Sequence, residues 1–558
     1  MNRLDYAIDK GSAALADLMT PERVGTAVRR AHSETAAVMT SLRGTSRTAG
    51  VRLAPPEAVP LLIALRAQLE ERARRDAQGY SAYRWLWYLR RIPDALTEGS
   101  ISTTAPYTVA VAEILTDQNR KEEPPDFTGR WMSFKTDEHV ARHVLMLVCR
   151  ARAIFTIHRH IRTVSKGCAL AFDHDGFPRD VCADGLMQSM RHYDERMSRS
   201  QTFLARAGTV LPMTPAWEDT SRALLGCFRI APQVVEAPVA LHGLDSMHVR
   251  ARFKCVLISG DRLRAFNSRF DGQAWWSAEA MPLTLFLAAS SELLFALPNA
   301  VASLAQFGYL TTGWDVVRRV WADHWNAATT LTSEILGTPV TIRSPEELLA
   351  AVRQLRGGVW PLTAPAPIRG PNEVLALDIS SATMHLRTAF AFPDTTGPAA
   401  NVRSRHFEEE IQRLIDDSPW KPGSAMRALR GRTLRLNGQA ITDIDAIGER
   451  DGTLLLVSAK GRLYTALYDA GDHAQVRNAA DTVGAAVERW REVVAVLKAS
   501  PRGDNYDFTA VRQFLGVVCT PQVVWVPPGE ATAEIAPALQ AAASVEELER
   551  WLNVAVTL

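Results

Sequence analysis

Apolar and polar positions change their period several times along the chain, and each change marks an element. Thr453–Lys460 is an almost unbroken Leu/Val run that closes on Ser-Ala-Lys. That is the pattern of a strand buried on both faces whose polar groups emerge at one end. Ile441–Ile447, before it, reads as a partner strand with Asp443 and Asp445 on one face, and Asp451-Gly452 is the tight-turn dipeptide between the two. Upstream, Phe407, Ile411, Leu414 and Ile415 repeat at helical spacing and predict an amphipathic helix over His406–Asp417. At about 100° per residue, Glu408 and Glu410 flank its apolar face and Glu409 points away. Downstream, Val476, Ala480, Val483, Val487, Trp490, Val494 and Leu497 predict a long helix. Phe514–Cys519 and Val523–Val526 read as two more strands, and Ser544-Val545-Glu546-Glu547 caps a last helix through Leu552. Helix, strand, strand, helix, strand, strand is the order of a three-layer α/β core.

The rest of the chain reads mainly as helix. Thr20-Pro21-Glu22 is a helix start. A block from Glu57 runs into residues 71–94, where arginines alternate with Tyr80, Tyr83, Trp85, Trp87 and Tyr88. Helical spacing makes these aromatics core and the arginines a solvated face; a stacking surface for nucleic acid is the other reading. A helix is expected over Thr136–Val164, with His139 and His143 one turn apart. HExxH and a third ligand are missing, so no zinc site is expected there. Residues 185–230 return to helical patterns. His248–Phe270 shifts to short basic strands carrying Arg250, Arg252, Lys254, Arg262, Arg264 and Arg269. Residues 280–356 are helical again, and Met281–Leu310, broken by Glu292 and Pro298, fits a buried helix pair better than a membrane span. The prolines of 359–372 mark a linker. The expected division is a helical N-terminal region over 1–240, a mixed, mainly helical middle region over 241–365, a linker with a connecting strand and helix over 366–395, and an α/β domain over 396–558.

Composition changes this picture little. The 558 residues are 47% hydrophobic and 22% charged with a net charge of +2, so nucleic acid would have to be met by local patches rather than by a global field. One such patch is Arg427, Arg430, Arg432 and Arg435, just ahead of the hairpin, at a place where they could reach a phosphate backbone. The opening MNRLDYAIDKGS lacks the apolar core of a signal peptide. The scattered cysteines contain no CxxC and suggest no disulfide framework, so a reduced, cytoplasmic setting is expected.

The Phe407-Glu408 helix, then Asp445, then Ser458-Ala459-Lys460 on the next strand, resembles the PD-(D/E)xK, restriction-endonuclease-like family over roughly residues 400–530. The resemblance implies a restriction-endonuclease-like core and metal-dependent hydrolysis of phosphodiester bonds in DNA, in restriction, repair or defence against phage. It assigns catalysis to Asp445, Lys460 and Glu408, with Asp445 and Glu408 holding Mg2+ (or Mn2+) and Lys460 orienting or helping to deprotonate the attacking water. Magnesium takes oxygen ligands and often only one or two carboxylates. Asp443, Ser458 and Glu410 are secondary candidates. The chain departs from the family at Ser458, where an acid is usual. That departure motivates the alternative: a catalytically degenerate nuclease-fold domain serving as a nucleic-acid-binding, structural or sensor module. The expected partners are DNA, another protein through the helical N-terminal region, and a second copy of the chain, with no membrane.

Overall fold

The structure is a computed structural model. It describes residues 3–43, 51–92, 105–117, 119, 121, 123, 125–128, 131–173, 176–199, 208–210, 222–230, 235–241, 244–260, 263, 279–297, 300–355, 364–391, 398–461 and 465–554.

Helices α1 (Arg3–Leu18), α2 (Pro21–Arg43), α3 (Pro55–Ala77), α4 (Ala82–Leu89), α5 (Ala105–Thr116) and α6 (Glu138–Ser165) surround a first apolar core, beside a short hairpin of β1 (Asp126–Thr128) and β2 (Trp131–Ser133). The aromatic block is two helices rather than one. The chain leaves α3 at Gln78 and re-enters helix after Ser81, whose hydroxyl accepts the amide of Arg84. Tyr83, Trp85, Trp87 and Tyr88 are all buried, as core. Arg90 and Arg91, expected on a solvated face, are buried too.

Strands β3 (Ala169–Phe172) and β4 (Pro178–Val181) pair antiparallel with Ala169 opposite Val181. The next residues outward therefore face each other, and a disulfide joins Cys168 to Cys182. This corrects the expectation of cysteines with no disulfide. Cys149, Cys227, Cys255 and Cys519 are free and buried.

Helix α7 (Asp184–Arg199) follows. The helical reading of 185–230 holds through α7 and fails beyond it, where the chain forms β5 (Gly208–Val210) and β6 (Ala223–Arg229); β7 (Val235–Leu241), β8 (Leu244–Ala251) and β9 (Phe253–Ser259) follow. β9 lies between β5 and β6, and β7 pairs with β8. Arg262, Arg264 and Arg269 lie outside the described residues. Helices α8 (Ala280–Ser291), α9 (Leu293–Ala296) and α10 (Ala300–Phe307) pack against β6 and β9 in a second core, and no described helix is long and apolar enough to cross a membrane.

The second core continues through β10 (Leu310–Thr312), α11 (Trp314–Leu336), α12 (Pro345–Gln354), β11 (Ile368–Arg369), β12 (Leu375–Leu377) and α13 (Ile379–Ala391). Ser344 caps α12 by accepting the amide of Glu347 at 3.2 Å. The strand and helix expected after the linker form as β12 and α13, and they are core: Leu375, Leu377, Ile379 and Leu386 are buried, as is Ile368 of β11, and β12 is the middle strand of a three-stranded sheet.

The first two cores meet across buried charge. Arg90 Nε and Nη2 donate to the two carboxylate oxygens of Glu113 at 2.5 and 2.8 Å, and Nη2 also reaches Asp378 at 3.0 Å. Arg229 adds a second cation to Glu113, and Arg369 one to Asp378. Burial alone would push the Glu113 carboxyl up; the Arg90 and Arg229 charges hold it below the usual carboxylate range. Such a network is costly to desolvate and therefore demands complete pairing.

The C-terminal sheet runs β15 (Ala446–Arg450), β16 (Thr453–Ala459), β17 (Gln513–Thr520), β20 (Ala542–Ser544). It is antiparallel between β15 and β16 and parallel thereafter. Its helices are α14 (Pro398–Asp416), α15 (Ser424–Arg427), α16 (Ala466–Asp469), α17 (His473–Ala499) and α18 (Val545–Asn553). Two hairpin pairs accompany it, β13 (Thr433–Leu436) with β14 (Gln439–Asp443) and β18 (Glu534–Ala536) with β19 (Leu539–Gln540). Alternation along β16 sends Leu455 and Val457 toward Phe407, Ile411 and Ile415 of α14, and Leu454 and Leu456 toward Val483, Val487 and Trp490 of α17. Helices therefore cover both faces, and Leu454–Val457 are completely buried. Two of the sequence expectations change here. Val523–Val526 is buried but forms no strand, and the fourth strand is the short β20. The α17 face of the sheet is also closed by α7, whose Met190 and Tyr193 join the same core as Trp525.

Candidate active site

Asp451 and Gly452 both take left-handed φ, 49° and 74°, which gives the two-residue turn between β15 and β16 the twist a hairpin needs. The strand expected over Ile441–Ile447 is broken. β14 ends at Asp443, and β15 begins at Ala446 with a different partner. Asp443 and Asp445 consequently do not share one strand face. Asp445 sits in the bend between sheets, where backbone leaves one ladder before joining the next.

That bend aims Asp445 across the end of β16. Its Oδ2 accepts the Ala459 amide at 2.7 Å, and Lys460 Nζ donates to Ser458 Oγ at 3.1 Å. Lys460 itself follows the last β16 residue, and its backbone amide is fixed on the Cys519 carbonyl of β17 at 2.8 Å. Glu408 approaches from α14, half-buried beside the fully packed Phe407. Burial raises the Asp445 carboxyl above its ordinary value, against the Ala459 hydrogen bond, Lys460 and Ser458, with Asp443 adding to the rise. Burial likewise raises Glu408, and the Asp445 charge raises it further while Arg430 and Lys460 draw it down. Glu408, Asp445, Ser458, Lys460 and Arg430 thus form one electrostatic unit at the mouth of β16.

The remaining sequence candidates lie apart or at the rim. Glu410 is buried, and its charge bears on Cys519 of β17. Glu409 is exposed beside His406, as the helix geometry requires. Asp443 is exposed at the end of β14. Arg427 is committed to Asp416, with Nε 3.0 and 3.1 Å from its two oxygens. Arg432 and Arg435 are exposed, on and just before β13. Arg430 is different: its Nε donates to the Asp445 backbone carbonyl at 3.0 Å, so it belongs to the site. The sequence places Arg430 among four similar arginines; only the contact with Asp445 separates it from them.

Among the described residues, no group of three or more His, Cys, Asp or Glu side chains could hold a metal ion. His143 Nδ1 instead lies 2.9 Å from the His139 carbonyl. The chemistry of the Glu408–Asp445 pair nonetheless fits a magnesium-type cation. Both carboxylates are raised chiefly by burial, a cost that a divalent ion using one or two carboxylates and completing its shell with water would offset. Compared with family models, with curated proteins and with solved structures, the chain finds no match.

Proposed function

We propose that the C-terminal domain is a divalent-metal-dependent deoxyribonuclease and that the residues before it set its target, partner or activation. The observation that carries this reading is the convergence of Glu408, Asp445 and Lys460 at the end of one buried strand, in a sheet with helices on both faces. On this reading the fold is restriction-endonuclease-like. Asp445 and Glu408 hold Mg2+ or Mn2+. That ion, when bound, neutralises charge on the phosphate oxygens and acidifies a water. Lys460 orients the attacking water, and Ser458 orients Lys460 through the 3.1 Å hydrogen bond. The water gives up a proton to solvent as its oxygen forms the new bond to phosphorus, the bond to the sugar oxygen breaks, and that oxygen leaves with a proton from solvent. Arg432 and Arg435, exposed nearby, are suited to contact backbone phosphates.

Ser458 also supports the second reading, a degenerate nuclease fold that binds nucleic acid without cutting it. A hydroxyl there supplies neither the charge nor the ligand strength of a carboxylate. Cleavage of plasmid and linear DNA in Mg2+ or Mn2+, by wild type, Lys460→Ala and Asp445→Asn, separates the two. Metal-dependent cutting lost in both variants is expected. Intact DNA binding with no cutting by wild type would replace the first reading with the second.

A further inference from the structure

Arg430 stands in the candidate site in an unusual way, and it is positioned by backbone rather than by an acid. The turn that carries it is stapled to the Asp445 bend at two points. Arg430 Nε donates to the Asp445 carbonyl at 3.0 Å, and the next amide, Gly431 N, donates to the Ile444 carbonyl at 2.9 Å. Gly431 has φ +70°, a left-handed conformation that lets the chain reverse from α15 into β13 directly after the arginine. Leu429, on the other side, is buried in the core and anchors the turn from within. A guanidinium has five N–H donors in a planar fork. Here one is used on backbone, and the Nη groups have no hydrogen-bond partner among the described residues. The same guanidinium is half-buried and lies close enough to Glu408 for its charge to act on that carboxylate before that of Lys460.

We propose that Arg430 is a catalytic residue of this site, a fixed clamp that donates from its Nη groups to a non-bridging oxygen of the scissile phosphate in duplex DNA. The inference rests on the nuclease reading and deepens it. Its physical logic is charge balance. With Ser458 in place of an acid, the site has two carboxylates, one ammonium and one guanidinium, so its own charge is near neutral before any metal binds. As the water loses its proton to solvent and its oxygen adds to the monoanionic diester, the five-coordinate phosphorus becomes dianionic with the added charge on its non-bridging oxygens, until the sugar oxygen departs; a preorganised donor at those oxygens lowers that barrier. Arg430 transfers no proton in this step. It holds charge, as arginine does best because its fork matches two phosphate oxygens and stays protonated.

The test is single-turnover nicking of supercoiled plasmid by the full chain in Mg2+ or Mn2+, with DNA affinity measured separately in Ca2+. Arg430→Ala is expected to lower the rate at saturating protein by about 100-fold or more, the usual cost of one transition-state donor, while changing affinity only a few-fold. Added guanidinium ion should restore part of that rate in Arg430→Ala and none in Lys460→Ala. Arg430→Lys keeps the charge but loses the fork, and it is expected to fall between Arg430→Ala and wild type. It carries the test if Arg430→Ala does not fold. A rate within threefold of wild type at saturation, or a defect cured by more protein, would make Arg430 a backbone brace or a general DNA contact and overturn the proposal. No cutting by wild type would overturn the nuclease reading itself, and with it this one; cutting by wild type with an unaffected arginine variant overturns only the role of Arg430.

Discussion

Replacing Asp445 with Asn should make the metal-free protein more stable while abolishing its response to divalent cations. The substitution is nearly isosteric, and an amide oxygen can still accept the Ala459 amide now 2.7 Å from Oδ2. What it removes is a charge that burial and Asp443 oppose and that in turn opposes Glu408. Like unit charges at close range repel by a few kcal/mol at an effective permittivity near 20, about 4 kcal/mol at 4 Å. Lys460 and Arg430 offset most of that, leaving a net gain of about 1 kcal/mol for the variant in EDTA, or about 2–4 °C in melting temperature. The sign with pH follows from the direction of the shifts. A carboxyl raised in the folded state contributes stability that is fully present below its unfolded value and is lost as pH rises through its folded value. The wild type therefore falls behind the variant as pH rises past the carboxylate range, and the two converge below it. At 10 mM Mg2+ and a dissociation constant of about 1 mM, the wild type gains about 1.4 kcal/mol and the variant almost none, so the order reverses. Scanning calorimetry at several pH values, in EDTA and in Mg2+, measures each part. A variant less stable than wild type in EDTA, or an equal Mg2+ shift in both proteins, would refute the electrostatic argument for the site.

Two further outcomes test the frame that holds it. Arg90→Met removes the bidentate partner of Glu113 and one cation from Asp378, and should cost about 3–5 kcal/mol at pH 7 in urea denaturation. Because Glu113 is held below its usual range, the stability it lends is lost as pH falls through its folded value, so this deficit should shrink in acid. Gln412→Leu leaves the buried Ile447 amide and carbonyl without the partners that now meet them at 2.8 and 2.9 Å; a loss of about 2–4 kcal/mol is expected, read by the same method.

The sequence was most informative where one element satisfies itself locally. The β16 run, the Asp451-Gly452 turn, the α17 face and the Ser544 cap of α18 each follow from residues within a few positions of one another. It was least informative where a distant partner decides. Arg90 looks like surface until Glu113 and Asp378, 23 and 288 positions away, supply counter-charges. Alternation through Ile441–Ile447 suggests one strand, but Ile444 gives its carbonyl to Gly431 and the ladder changes partner there. β20 has only small residues, Ala542–Ser544, all buried, and so carries no period to read. Of the candidate site, the order Glu408, Asp445, Lys460 was visible as spacing. The membership of Arg430 was not, since it depends on a turn folded back onto a bend.

The placement of α7 has a bearing on how this chain folds during synthesis. Arg196 of α7 grips both carboxylate oxygens of Glu547, at 2.7 and 2.8 Å, and the Ala542 carbonyl at 3.1 Å, across 351 and 346 positions of sequence. A ribosome will have released α7 long before those partners exist, so Met190 and Tyr193 must wait in water or under a chaperone while the second core forms. Contacts of such high sequence separation are paid for in loop-closure entropy before they return anything, which places their formation late. The C-terminal sheet is therefore a unit in space but not in the chain. A fragment cut at residue 396 would emerge with the seat of Tyr193 against Trp525 open, a ready site for self-association.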